Sequence, residues 1–316
     1  MVVKDIKEKI LNSEKIVITS HVNPDGDAIG SGIALYLGLV KKFPNKKIKF
    51  ILQDKVPKNL EFLKGTESIL LSSEIQGNLD SDLAIIVDSA TLERIGDVKN
   101  KIENIFKINI DHHISNPLYG DINLVENISS TSEVMYSLLK DLEIDLDFNM
   151  AEAIYTGIVN DTGNFSHDNV TKKTFEIAGE LIELGVNNSK IAKDFYASRT
   201  YIGMKILGKA FEEMRYIPEK KLTYFYLPYS ELKALSGTKD DTEGLVEEIN
   251  SNIESEVSLF LREEENGTIK GSMRSKKDAD VNAIASKFGG GGHIKASGFS
   301  STLPAEEILK IVEQSL

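Results

Sequence analysis

Two apolar, β-rich runs that end abruptly in ligand-type side chains restrict this chain more than any other feature. Leu83-Ala84-Ile85-Ile86-Val87 stops at Asp88, and Phe106-Lys107-Ile108-Asn109-Ile110 stops at Asp111-His112-His113. An apolar run of strand length with this ending reads as a buried parallel strand that delivers its last side chains to a cleft. A carboxylate directly after apolar residues is expensive to bury unless it meets a cation or several donors. One such strand end would be ordinary, since lone histidines are usually satisfied core residues and lone strand-end aspartates are often exposed. Here the pattern repeats: of the five histidines, His21, His112, His113 and His293 all lie in polar motifs, and His167 is close to one.

Residues 15–20 read as another short buried strand, running into His21-Val22-Asn23-Pro24-Asp25-Gly26-Asp27. Pro24 and Gly26 force a turn and residues 28–42 are apolar at helical spacing, so His21, Asp25 and Asp27 converge on a strand-to-helix loop. Asp27 alone would serve as a helix cap, but capping does not account for all three side chains. Strands are expected at 48–53 and 68–71, and helices at 131–142, 150–159 and 171–184. The helix over 150–159 stops at Asn160-Asp161-Thr162-Gly163. Gly163 suits a helix stop, whereas an acid there opposes the helix dipole and calls for a nearby cation.

With 316 residues, 41% of them hydrophobic, the chain is long enough for two cores. The expected division is a first domain over 1–186, a charged helical connector over 187–217 and a smaller domain over 218–316. The fold class is α/β: a mainly parallel sheet flanked by helices, then a mixed α/β domain, with the active site in the cleft between them. In the second domain, strands are expected at 222–227, 256–263 and 268–275, with helices near 242–253 and 280–288. Gly289-Gly290-Gly291-Gly292-His293 then opens into a last strand ending at 301, and Pro304 begins a terminal helix.

No cysteine is present, which excludes disulfides, thiolate zinc sites and cysteine nucleophiles; any metal must sit on oxygen and imidazole. Residues 1–10 are charged throughout and suit neither a signal peptide nor a membrane span, so a cytoplasmic location is expected. A net charge of −12 argues against long duplex nucleic acid, which is bound by neutralising many phosphates. A small phosphorylated substrate is compatible with that charge where divalent ions invert the local field.

His21, Asp25, Asp27, Asp88, Asp111, His112, His113 and Asp161 fall in separated blocks dominated by carboxylates. Such a set fits two oxygen-rich divalent sites sharing a bridging carboxylate better than a closed structural zinc shell. Two ions roughly 3.5–4 Å apart stabilise both the attacking and the leaving oxygen of a phosphoryl displacement, so hydrolysis of a phosphate ester is the expected reaction.

The motif His21-x-x-Pro24-Asp25-x-Asp27-Ala28-x-Gly30-Ser31, with Asp88 and Asp111-His112-His113, resembles the DHH phosphoesterase superfamily. Gly-Ser-Met-Arg-Ser at 271–275 and Gly-Gly-Gly-Gly-His-x-x-Ala-Ser-Gly at 289–298 resemble its DHHA1 domain. The resemblance covers nearly the whole chain, and the chain's length resembles the nanoRNase/pAp-phosphatase branch more than the longer RecJ exonucleases. It implies two divalent ions, manganese or magnesium, one held by His21, Asp25 and Asp88 and the other by Asp27, Asp88, His112 and Asp161. His113 would face the scissile phosphate, with Asp111 orienting its neighbours. Arg274, Ser275, Gly290, Gly291, Gly292 and His293 would grip the nucleotide. Short single-stranded RNA and 3′-phosphoadenosine 5′-phosphate are the implied substrates, and a homodimer is left open. Cleavage of pApA or cyclic-di-AMP is the alternative within catalysis, and a nucleotide sensor the alternative outside it. Where this branch often carries an aromatic-Arg-aromatic run, this chain has Phe165-Ser166-His167, so a basic phosphate contact is missing or replaced by His167.

Overall fold

The computed structural model describes residues 2–197 and 199–316. The chain divides into two compact units, Met1–Ala197 and Ser198–Leu316, so the stretch 187–217 is shared between them, and its Ser198 lies outside the described residues.

In the first unit, β1 (Lys15–Thr19), β2 (Lys47–Leu52), β3 (Leu70–Leu71), β4 (Leu83–Val87), β5 (Phe106–Asp111) and β6 (Ile122–Val125) form a parallel sheet in the order β3-β2-β1-β4-β5-β6. Its helices are α1 (Val2–Leu11), α2 (Gly26–Lys42), α3 (Val98–Lys101), α4 (Thr131–Asp141), α5 (Phe148–Asp161), α6 (Lys172–Glu183) and α7 (Asn188–Ala192). The strand order reverses between β1 and β4, and a crevice opens at the carboxyl ends of the strands where connections diverge in this way. Every residue of β4 is buried because both faces of the sheet are covered. Ile16, Ile18, Ile85 and Val87 join a core with Ile6, Ile29 and Ile154 from the helices, while Val17, Ala84 and Ile86 pack with Ile95, Val98 and Ile102 on the opposite face.

Helices α2 and α5 cross backbone to backbone. A Cβ on Gly30 would lie 2.4 Å from the carbonyl oxygen of Ala153, and one on Gly26 2.8 Å from Asn160 Cβ, so the two helices run antiparallel at the closest approach that glycine permits. The start of α2, carrying Asp27, is thereby set against the end of α5, carrying Asp161.

The second unit holds β7 (Arg215–Ile217), β8 (Leu222–Leu227), β9 (Val257–Glu263), β10 (Ile269–Ser275), β11 (Gly291–Gly292) and β12 (Ala296–Ser301), in the order β11-β12-β10-β9-β8-β7. All pairs are antiparallel except β8 with β9. Its helices are α8 (Tyr201–Glu213), α9 (Tyr229–Ala234), α10 (Leu245–Asn250), α11 (Val281–Ser286) and α12 (Ala305–Ser315). Val281, Ile284, Ile308 and Val312 cover one face of the sheet; Ile206, Ala210, Leu245 and Ile249 cover part of the other. Along β10 the buried residues Ile269, Gly271, Met273 and Ser275 alternate with the more accessible Lys270, Ser272 and Arg274.

Four strands differ from expectation. The strand at 68–71 shrinks to Leu70–Leu71. β6 is half-buried at every position on the edge of its sheet, so it lacks the contrast that marks a strand in sequence. β7 falls inside a stretch whose pattern is helical; it exists because Lys221, at a φ of +45°, turns the chain back to pair Ile217 with Leu222. Gly291 and Gly292 pair with Gly298 and Ser297 as a short strand, where a loop is the expectation. No helix among the described residues is long and apolar enough to cross a membrane.

Candidate metal centre

Strand ends and helix ends from the first unit gather at the crevice beside β1 and β4. β1 leads through Ser20 into His21, and the turn that follows starts α2. Asp25, not Asp27, caps that helix, its Oδ1 accepting from the backbone N–H of Asp27 at 3.0 Å and of Ala28 at 3.1 Å. Asp27 is fully buried and looks the other way: its Oδ2 accepts from Thr131 N at 2.7 Å and its Oδ1 from Ser132 N at 2.8 Å, at the start of α4. Asp88 leaves β4 with a φ of +51°, in the left-handed region that non-glycine residues seldom occupy, while its N–H still donates to Ile110 O at 2.9 Å. That conformation takes its side chain out of the strand's alternation.

The imidazoles are oriented from behind. His21 donates Nδ1–H to Val22 O at 2.9 Å and His112 donates Nδ1–H to Ile128 O at 3.2 Å, which leaves each Nε2 for the interior. His21 Nε2 lies 3.4 Å from Asp88 Oδ2 and 3.8 Å from Asp25 Oδ1. His112 Nε2 lies 3.0 Å from Asp161 Oδ2 and 3.7 Å from Asp88 Oδ1. His113 donates Nδ1–H to Asp111 Oδ1 at 2.7 Å, and the other oxygen of this buried aspartate accepts from Asn116 Nδ2 at 2.6 Å. Asp111 thus has a neighbour to orient and a second donor holding it.

Among the described residues, three sets of side chains have donor atoms within 4.8 Å of one another: His21, Asp25 and Asp88; Asp88, His112 and His113; Asp27, His112 and Asp161. This set of carboxylate oxygens and imidazole nitrogens suits divalent cations. Electrostatics agrees with that fit. Burial, reinforced by Asp161 and Asp88, pushes the Asp27 carboxyl well above its ordinary range, and burial together with Asp25 and Asp88 raises Asp161. Burial opposes a charge on His21, yet bonding to Asp25 and Asp88 outweighs it and lifts the imidazole to about 11. His112 is likewise opposed by burial and lifted to about 11 by Asp161, Asp88 and Asp27. Burial also works against the Asp88 carboxylate, but His21, His112 and His113 hold it well below the usual range. The carboxylates thus favour positive charge between them, which protonated imidazoles or a dication would supply. The buried acidic and histidine cluster is compatible with divalent metal binding.

Several supporting residues are invisible to sequence reasoning. Thr131 Oγ1 donates to Asp88 Oδ1 at 3.0 Å, and Ile128, Thr131 and Ser132 together hold His112, Asp27 and Asp88. The one signal for this segment is Ser130 with Glu133, a helix-start spacing in which Ser130 Oγ accepts from Glu133 N at 3.1 Å. His167 donates Nδ1–H to Asp161 O at 3.1 Å, and Asn169 Nδ2 donates to the same carbonyl at 3.1 Å, so both hold the end of α5.

In the second unit, Arg274 lies on the accessible face of β10, where Nη2 pairs with Glu247 Oε1 at 2.5 Å and Nη1 donates to Met273 O at 2.9 Å. Ser275 lies on the opposite, buried face and donates Oγ–H to Ala279 O at 2.7 Å. Arg274 is paired with Ala296, just beyond the exposed His293, so both lie at one end of the sheet. Gly290 and Gly292 permit close packing against β12: a Cβ would fall 2.3 Å from Gly298 O and 2.5 Å from Ala296 O respectively.

A doubly wound parallel sheet with Asp-His-His at the end of one central strand and His-x-x-Pro-Asp-x-Asp after another is the framework of a DHH phosphoesterase. Residues 15–158 match the DHH family, N-terminal domain, and residues 219–316 match the DHHA1 domain; the chain belongs to the DHH family. It is 32% identical to the bifunctional oligoribonuclease and PAP phosphatase NrnA of Thermus thermophilus, over 90% of this chain and 83% of that one. It is 32% identical to the protein of the same name from Bacillus subtilis, over 91% of this chain and 89% of that one. A crystal structure of an exopolyphosphatase-related protein from Bacteroides fragilis superposes with a TM-score of 0.94 at 30% identity, covering 99% of this chain and 95% of that one.

Proposed function

We propose that this protein is a manganese-dependent phosphoesterase that hydrolyses short oligoribonucleotides to nucleoside monophosphates and converts 3′-phosphoadenosine 5′-phosphate to AMP. The observation that carries the reading is the Asp88 carboxylate, whose Oδ2 faces His21 at 3.4 Å while its Oδ1 faces His112 at 3.7 Å. One carboxylate turned toward two imidazoles on opposite sides is suited to bridging. His21 and Asp25 complete one ion site with it; Asp27, His112 and Asp161 complete the other, and magnesium is the alternative ion. When bound, such a pair of dications neutralises the acidic pocket and stabilises charge on the reacting phosphate.

The remaining roles belong to the chain. His113, with Nδ1–H committed to Asp111 Oδ1, acts on the phosphate through Nε2 as donor and charge stabiliser. Asp111, held by Asn116, keeps that ring in place. Arg274, His293 and the backbone of Gly290, Gly291 and Gly292 grip one end of the nucleotide, with Ser275 supporting the turn behind them. With a net charge of −12 and no basic track, substrates of about two to five nucleotides are favoured over long strands. The relatives' names support both activities, and a cytoplasmic location follows from substrates of that kind.

The test is purified protein with manganese and a panel of a labelled dinucleotide, longer oligoribonucleotides, 3′-phosphoadenosine 5′-phosphate, pApA and cyclic-di-AMP. Turnover of the dinucleotide and of 3′-phosphoadenosine 5′-phosphate is expected, declining steeply with length. Cleavage confined to the cyclic dinucleotide, or tight binding without turnover, would replace this reading with a cyclic-dinucleotide phosphodiesterase or a sensor.

A further inference from the structure

The Asp88 side chain needs an external reference. Its backbone is left-handed at φ +51°, so strand alternation does not aim it, and its carboxylate hangs on two rotatable bonds, χ1 and χ2, of which χ2 is broad. Something must fix the plane of the carboxylate so that one oxygen faces His21 while the other faces His112.

Thr131 is the neutral donor in position to do so. It is fully buried at the first position of α4, in a helix held in register by Ser130 and Glu133. Its Oγ1 donates to Asp88 Oδ1 at 3.0 Å, and its backbone N–H donates to Asp27 Oδ2 at 2.7 Å. One residue therefore touches the carboxylate shared by both proposed ion sites and a carboxylate of one site alone. Its neighbour extends the assignment: Ser132 donates its N–H to Asp27 Oδ1 at 2.8 Å, so the first turn of α4 holds both oxygens of Asp27 as well as one of Asp88. The β-branch of Thr131 restricts its χ1, which limits where Oγ1 can sit. A helix is a stiff lever, so Asp88 and Asp27 are positioned as one body.

We propose that Thr131 is a positioning residue that sets the bridging orientation of Asp88 and ties it to Asp27, so that the two halves of the centre fill as a coupled pair. This rests on the two-ion reading of the site, and the experiment separates the two ideas. Thr131→Val keeps the shape and the backbone N–H but removes the hydroxyl; Thr131→Ser keeps the hydroxyl. Manganese binding is titrated calorimetrically on the full chain, the spin coupling of the bound ions is followed by electron paramagnetic resonance, and kcat and KM are measured on a dinucleotide. Expected for Thr131→Val is a loss of roughly 10- to 100-fold in affinity for one ion, the usual cost of removing an outer partner of a ligand. The coupled signal should give way to that of isolated ions, and kcat should fall with KM unchanged. Thr131→Ser should restore all three to within about threefold, and the metal-free melting temperature of both variants reports any general damage.

Wild-type protein that binds no pair of ions would remove the two-ion reading itself. Wild type binding a coupled pair, with Thr131→Val binding the same pair equally well, would overturn the role of Thr131 alone. Equal impairment of the Val and Ser variants with a lowered metal-free melting temperature would assign Thr131 to folding and overturn the proposal as well.

Discussion

The two sheets of this molecule carry their functional groups in opposite ways. The parallel sheet of the first unit is covered on both faces and hands its polar side chains to a crevice where Asp27, Asp88 and Asp111 are almost wholly buried. Asp27 and Asp88 are held by donors from the start of α4, distant in sequence, and Asp111 by His113 and Asn116 just beyond its own strand. The mixed sheet of the second unit leaves part of one face open and presents Arg274 there, restrained by one accessible ion pair and one local carbonyl. Under the proposed function the difference separates chemistry from grip: the groups assigned to the reaction are held on several sides by the fold, whereas the arginine assigned to a variable substrate is loosely tethered. Exposed pairs such as Arg274 with Glu247 are worth at most about 1 kcal/mol, so the arginine is cheaply released to a ligand.

Mutations break this contrast in graded fashion. Asp88→Ala removes a carboxylate turned toward both imidazole sets and should abolish turnover, beyond the roughly 100-fold lost when a supporting residue is changed. Calorimetric titration that still finds two intact manganese sites would show that Asp88 does not bridge. His113→Ala should keep both ions and lower kcat by about 100-fold or more, the usual range for a group that acts on the proton or charge of the reaction. Parallel loss of metal and rate would mean that His112 and His113 have exchanged roles. Arg274→Ala should raise KM for a dinucleotide by roughly 10- to 150-fold, as expected for a charge-assisted hydrogen bond worth about 1.5–3 kcal/mol, with metal affinity and kcat unchanged. A change in metal affinity instead would erase the distinction between the two sheets.

The smallest effect concerns pH. His21 and His112 are held charged up to about 11 against an ordinary value of 6.5. Because the folded values exceed the unfolded ones, the stability that these groups confer is complete below about pH 6.5 and is lost as pH rises toward about 11. Metal-free protein in chelator should therefore melt some 5 °C lower at about pH 10 than at pH 6.5. Manganese should raise the melting temperature more at the upper end of that window, since the ions displace those protons. A metal-free melting temperature that is flat across this range would mean that the imidazoles are neutral in the folded chain.

Much of this arrangement is legible in the chain. The unbroken apolar run ending at Asp88 marks one central strand because burial on both faces leaves no alternation, and the alternating Phe106, Ile108 and Ile110 mark the strand that ends at Asp111-His112-His113. Periodicity marks α2, α4, α5 and α6, and the DHH and DHHA1 motifs carry the family. What escapes is non-local. Thr131 is an unremarkable residue at a helix start until the fold brings it across the sheet to Asp88, and no local pattern encodes that meeting. Asp27 looks like a cap because its type and place suit one; Asp25 takes the cap because its side chain reaches back to the N–H of Asp27 and Ala28, freeing Asp27 for α4. β7 and the paired glycines of β11 are strands only by virtue of a partner.

The glycine crossing of α2 and α5 has a consequence for ion choice. A Cβ on Gly157 would lie 1.9 Å from Ser132 Oγ and 2.7 Å from Asp27 Oδ1. A Cβ on Gly30 would lie 2.4 Å from Ala153 O and 3.0 Å from Gly157 N, so the backbones that carry Asp27 and Asp161 are spaced by main chain against main chain, a contact that has no rotamers with which to adjust. Side-chain pockets can breathe to admit a larger or smaller cation; a gap set by backbone cannot. In the proposed metal centre the calibre would rest on the hydrogen atoms of Gly30 and Gly157, two residues outside the proposed ligand set.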